Sequence, residues 1–297
     1  MSSWARIAAS IGLAAALLVP PGAHGTVTIG SNLGSAPSFG TNCLGATCTI
    51  VQNDLPAAQQ ATGGVKSPVS GSVVLWRVRT AAGVQQPIAF RVVRQITTGS
   101  LYTGVTTSAT VTPPANSTTA YNVQLPITMG DLIGINCCQV NSTYFRSAGP
   151  AAGFYWNPAL ADGDPGRAPT GSVSSEITIN ADIEPTSAFA VNGVKLGKGG
   201  KVTPTVTLPN PGTLVGGDAR DASLAGAAGG KKKATYLKRS SLPVGVAGQT
   251  IRLQVLPTKR ARALLTEKGR LKAKLKLVFT PTGGTASTQS LKVKLKK

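Results

Sequence analysis

Two segments near the C-terminus, Leu271 to Leu277 and Leu291 to Lys296, alternate aliphatic and lysine residues strictly. Successive side chains on a strand point to opposite faces, so each segment sends its aliphatics one way and its lysines the other. Lys272, Lys274 and Lys276 then stand ~6.6–6.8 Å apart along one strand. Lys292, Lys294 and Lys296 form a second row, expected one or two strands away. Like charges opposed across a sheet cost about 0.2–1 kcal/mol per pair, so a lysine plaque works against folding and asks for a reason. The chemistry such a face can do is polyanion contact: wall teichoic acid, acidic polysaccharide, anionic lipid headgroups at a membrane surface, or nucleic acid. The competing explanation is solubility and protection of a strand edge, for which lysine is a common device. With no aromatics or arginine forks among the lysines, sequence-specific nucleic-acid binding is not expected.

Other reactive side chains are few. The only histidine, His24, falls in a predicted export signal, so the mature chain would have none. That excludes Ser-His-Asp and Cys-His machinery and every His-ligated metal site. A two-carboxylate hydrolase stays formally open. Asp131, Asp162, Asp164 and Glu176 are its candidates, although acids are sparse and unclustered. No catalytic residue, metal or cofactor is expected.

Four cysteines in an exported chain favour two disulfides, with three connectivities possible. Cys43 and Cys48 bracket a short loop and are the preferred pair. Adjacent strand residues point to opposite faces, so Cys137 and Cys138 should not both reach that loop; they would form a vicinal disulfide or remain thiols. A redox switch at this pair stands against a structural role, and nothing cationic nearby would activate a thiol. Gly153-Phe154-Tyr155-Trp156-Asn157 offers Tyr155 and Trp156 as a sugar-stacking platform, with Asp162 and Asp164 as polar or calcium partners. The plainer reading is a short edge strand whose aromatics cover the core.

The elements that must carry these groups follow from composition and charge. Gly, Pro, Thr and Val are plentiful while aromatics and charges are sparse, which suits short strands and tight turns. Of the net charge of +20, residues 1–185 contribute +1 and residues 186–297 contribute +19. So uneven a split predicts two domains with different duties. Arg6, the apolar run Ile7 to Val19 and the small residues of Ala23-His24-Gly25 read as a secretory signal peptide over 1–25. The run is shorter than the ~20 residues of a membrane span.

Residues 26–185 show about eight strands and no convincing helix, which suggests a two-sheet, jelly-roll-like sandwich. In Gly71 to Thr80, Val74, Trp76 and Val78 share one face with Arg77 and Arg79 opposite, and Trp76 is the expected central core aromatic. In Pro87 to Gln95, Ile88, Phe90 and Val92 oppose Arg91. Asp131 to Cys138 reads as buried on both faces at its centre. Residues 186–297 give about seven strands, with a mobile Gly-rich loop ending in Lys231-Lys232-Lys233. Their one helix runs from Thr258 to Lys268, capped by Thr258, ended by Gly269, with Leu264 and Leu265 inward. Pro281-Thr282-Gly283-Gly284 is turn chemistry that joins the lysine rows into a closing hairpin. This is the pattern of a smaller immunoglobulin-like sandwich.

The chain also resembles a group of uncharacterised exported proteins of high-GC Gram-positive bacteria. The resemblance rests on Cys43…Cys48-Thr49, Gly71…Trp76-Arg77-Val78-Arg79, Gly130-Asp131-Leu132-Ile133-Gly134 and Asn180-Ala181-Asp182-Ile183-Glu184-Pro185. Gly269-Arg270-Leu271…Phe279-Thr280-Pro281-Thr282-Gly283-Gly284 extends it to the C-terminal hairpin. It implies a sandwich followed by a basic immunoglobulin-like module and carries no activity. An aspartate-rich, calcium-type spacer that can follow the Asn-Ala-Asp stretch in such proteins is missing here.

Overall fold

The structure, a computed structural model, describes residues 25–41, 43, 45–96, 100–138, 142–147, 150–224 and 234–297. The expected export signal through His24 and the Lys231–Lys233 run lie outside the described residues. The chain is all-β, as expected, and its strands form β-sandwiches.

The first strands are β1 (Val27–Gly30), β2 (Phe39–Thr41), β3 (Cys48–Asp54), β4 (Gly71–Arg79) and β5 (Ala89–Gln95). Next come β6 (Tyr102–Thr107), β7 (Thr118–Ile127), β8 (Leu132–Cys137), β9 (Ser142–Arg146) and β10 (Ala152–Trp156). Then follow β11 (Gly171–Val173), β12 (Glu176–Ile177) and β13 (Ile179–Pro185). They build sheets ordered β1-β13-β4-β7, β11-β10-β3-β8-β5-β6 and β12-β9-β2. The main core lies between the first two, around Trp76, whose ring stacks on Phe90 at 5.5 Å and Tyr121 at 4.8 Å. A second cluster containing Val93, Leu132 and Trp156 covers the other side of the six-stranded sheet. Its central strands are therefore buried on both faces, as read for Asp131 to Cys138.

Two expectations change. Val74 is an extra residue on β4 against β13, so Val73 takes the core position and Val74 turns half outward. Such a bulge reverses the facing pattern on one side of itself. Strand β10 is not an edge; β3 and β11 flank it.

After Pro185 the chain enters new sheets. The later strands are β14 (Ala190–Leu196), β15 (Val202–Thr207), β16 (Gly212–Asp218), β17 (Ser240–Val244) and β18 (Thr250–Arg252). Helix α1 (Lys259–Lys268) precedes β19 (Arg270–Pro281) and β20 (Ser287–Lys296). Sheets β14-β15-β18 and β17-β16-β19-β20 enclose a core with Leu214, Leu275, Leu277, Phe279 and Leu295. Among the described residues no sheet mixes strands from before and after Pro185. Thr258 caps α1 by accepting from the Ala261 N–H, and Gly269 ends it at φ +69°, the left-handed conformation that favours glycine. Leu265 is buried as expected, whereas Leu264 is only half-buried, with Ala261 on the inner face instead.

Asn210 joins the two sets of sheets. Its fully buried side chain accepts from the Ser70 N–H at 2.7 Å and donates to the carbonyls of Ser70 and Thr186 at 2.9 and 2.8 Å. Both of its amide N–H donors and its carbonyl oxygen are engaged, between the approach to β4 and the segment that follows Pro185.

Candidate functional site

The lysine rows occupy adjacent strands. Across β19 and β20, Arg270 faces Lys296, Lys272 faces Lys294, and Lys274 faces Lys292. Lys276 lies opposite Ser290. The cause is local: the hairpin turn, where Gly284 N–H donates to Pro281 C=O at 3.1 Å, fixes a register that buries Ala273, Leu275, Leu277, Val293 and Leu295 together. A slip of one residue would bury the lysines instead. The lysines are exposed apart from a half-buried Lys276, and β20 is an edge strand.

Beside these rows stands a group that the alternation does not announce. Asp218, fully buried at the end of β16, accepts from Arg220 Nε at 2.9 Å, Arg220 Nη2 at 2.7 Å and the Tyr236 N–H at 2.6 Å. The Arg220 guanidinium lies 3.9 Å from the centre of the Tyr236 ring. Burial opposes the Asp218 charge, but the hydrogen bonds from Arg220 and the two backbone N–H groups prevail and hold its carboxyl below the usual range. The same hydrogen bonds push the arginine upward. Arg220 shares a cleft of about 480 Å³ with Lys272, Lys274, Lys292 and Lys294. The one sequence signal for it was Asp-Ala-Arg at a strand end: an acid in a cationic half, placed for an Asx turn.

Among the described residues, Arg220–Asp218 is the one ion pair after Pro185. Before Pro185 the situation is reversed. Arg77 pairs with Asp182 at 2.7 Å, Arg91 with Asp162 at 2.9 Å, Arg94 with Asp131 at 2.8 Å and Arg167 with Asp164 at 3.4 Å. Arg146 pairs with Glu176, which also accepts from Ser31 Oγ at 2.5 Å. The four acids considered for hydrolysis, Asp131, Asp162, Asp164 and Glu176, are thus each taken up by a separate arginine. Arg91 was expected on an outer face; it is buried, and burial lowers its pKa. Gly104 makes room for it, since a Cβ there would lie 1.7 Å from Arg91 Nη2.

The aromatic platform is not exposed. Trp156 is 1% accessible, donates from Nε1 to the Arg167 carbonyl at 3.3 Å, and meets Tyr102 edge-on at 5.3 Å. Tyr155 is half-buried against the main core. Trp156 is therefore closed to a stacking sugar, and the half-buried Tyr155 on the opposite face of the strand does not form a platform with it. Among the described residues no group of three or more His, Cys, Asp or Glu side chains could hold a metal, and no helix is long and apolar enough to cross a membrane.

Cys43 is bonded to Cys48 and Cys137 to Cys138. The two pairs lie side by side. Cys48 is directly opposite Cys137 across β3 and β8, and Cys43 N–H donates to Cys138 C=O at 2.8 Å. Cys138 manages this by leaving extended geometry, at φ +80°.

No protein-family model matches the chain, and no curated protein matches it either.

Proposed function

We propose that this is a non-enzymatic exported protein held at the anionic cell envelope by its C-terminal part. In this reading residues 26–185 are a jelly-roll-like recognition or structural domain, and residues 186–297 an immunoglobulin-like domain that supplies the charge. Its partner is an anionic cell-wall polymer or acidic polysaccharide, in keeping with the resemblance to exported Gram-positive proteins. The observation that carries the reading is the direct opposition of Lys272 to Lys294 and of Lys274 to Lys292 on an exposed face. These cations repel one another and have no carboxylate partner among the described residues. A bound polyanion relieves that repulsion, whereas a solubilising surface gains nothing from placing like charges opposite one another.

The test is co-sedimentation with purified cell-wall sacculi, with and without teichoic acid, across a salt series. The full chain is compared with its variant carrying Lys272→Gln, Lys274→Gln, Lys292→Gln and Lys294→Gln. Tethering requires that the parent pellet, that salt release it, and that the variant stay in solution. Equal pelleting of both proteins at all salt concentrations would assign binding to the neutral half and refute the reading.

A further inference from the structure

The polyanion reading leaves the polymer open, and the geometry of the face narrows it. The opposed pairs Arg270/Lys296, Lys272/Lys294 and Lys274/Lys292 recur at every second residue, hence every ~6.6–6.8 Å along the ribbon. Within a pair the Cβ atoms stand ~4.5–5.5 Å apart, so one anionic group above the strands can accept from both side chains. A phosphodiester suits this position because it lies within its polymer chain and shares its charge between two non-bridging oxygens, one toward each strand. A carboxylate hangs from a side arm and turns both oxygens to one side. Arg220 also lines the cleft between four of the lysines; Asp218 takes its Nε–H and one Nη2–H and holds it against the Tyr236 ring, and its remaining guanidinium donors serve any anion in the cleft, phosphate or carboxylate.

We propose that the β19–β20 face binds a linear polymer of phosphodiesters joined by short uncharged spacers, threaded along the ribbon with one phosphate at each cation pair. Nucleic acid fits less well. Its bases need a stacking platform, and the aromatic ring beside the cleft, Tyr236, is covered by Arg220. The inference rests on the polyanion reading and goes beyond it by assigning charge spacing and anion geometry.

The experiment is calorimetric titration of the full chain at fixed salt with three probes. They are glycerol-phosphate oligomers of increasing length, polyglutamate of matched charge, and oligothymidylate. Affinity for the glycerol-phosphate series should climb until three phosphates fill the three pairs, then rise only weakly. Polyglutamate should bind at least about tenfold more weakly, the difference made by charged hydrogen bonds that it cannot complete. Arg220→Gln should weaken phosphate oligomers about tenfold and polyglutamate by a similar factor, since a guanidinium serves both anions. Because that variant also unpairs Asp218, the exposed double variant Lys274→Gln with Lys292→Gln provides a second measurement; it should move the length plateau to shorter oligomers. Equal affinity for polyglutamate and phosphate oligomers, or tighter binding of oligothymidylate, would overturn this inference while leaving polyanion binding intact. If no probe binds even at low salt, the polyanion reading itself falls.

Discussion

Lys272 and Lys294 face each other directly across the β19–β20 hairpin, on strands whose other faces meet in the core. Their repulsion is a cost of folding that another residue at either position would avoid. Lys294→Thr, a β-compatible neutral change, should therefore stabilise the fold by about 0.2–1 kcal/mol. Raising the salt should stabilise the parent more than the variant, since screening already removes part of the repulsion. The same change should weaken retention on teichoic-acid-bearing sacculi. Thermal melts and pelleting read the two effects, and opposite signs mark a face kept for binding. A change in which retention is untouched, with aggregation rising instead, would identify edge protection as the purpose.

Trp156→Ala tests the burial of the aromatic cluster. Truncating a large side chain that is packed against Tyr102 and Phe154 should cost about 3–5 kcal/mol by denaturant titration. Retention on sacculi by the protein that remains folded should not change. Loss of carbohydrate affinity without loss of stability would contradict the buried position.

Asp218 gives the fold a defined acid response. Its folded pKa lies below the ordinary value of 3.8, so the unfolded chain takes up a proton first as pH falls. The stability it contributes is fully present above 3.8 and is lost as pH drops through the folded value. Asp182, where hydrogen bonds from Arg77 and Thr28 outweigh burial, acts in the same direction. Asp218→Asn should cost about 1–3 kcal/mol at neutral pH. The gap between parent and variant should narrow as pH falls below 3.8 and through the folded value, as read by melts across the acid range. A gap that stays constant would mean that the loss is packing alone.

How much of this was legible depends on whether one face of a strand meets water. Leu271 to Leu277 and Leu291 to Lys296 could be read to the residue because their inner faces are apolar and their outer faces charged. Cys48–Asp54 escaped notice because β3 is buried on both faces and shows no alternation. The short strands β1, β2 and β9 carry too few residues to establish a period. Val74 was placed on the wrong face because a bulge adds a residue that no local signal marks. Arg91 read as a surface charge because burial of an arginine depends on Gly104 and Asp162, which only the fold brings to it. The Asp218–Arg220–Tyr236 group was missed for the same reason: residues 218 and 236 meet only in three dimensions.

The two disulfides are neighbours across β3 and β8. Directly opposed residues on antiparallel strands have Cα atoms ~4.5–5.5 Å apart, within the span that a disulfide bridges. Cys48 and Cys137 occupy such a pair. Cys137 and Cys138 also line a cleft of about 320 Å³ with Thr47 and Ser108, which gives a small dithiol a route to them. Attack by one thiolate of the dithiol on Cys138 Sγ releases Cys137 as thiolate. The second thiol of the reagent then displaces Cys138 and leaves with the reagent oxidised to its disulfide. The Cys137 thiolate can attack Cys48 Sγ, forming Cys48–Cys137 and releasing Cys43 as thiolate. The net change is a two-electron reduction that leaves Cys43 and Cys138 as thiols. Limited reduction, acid quenching, alkylation and peptide mapping should recover the Cys48–Cys137 cross-link, with label on Cys43 and Cys138. Recovery of label only on Cys137 and Cys138, with Cys43–Cys48 intact, would show that the two disulfides do not exchange despite their contact.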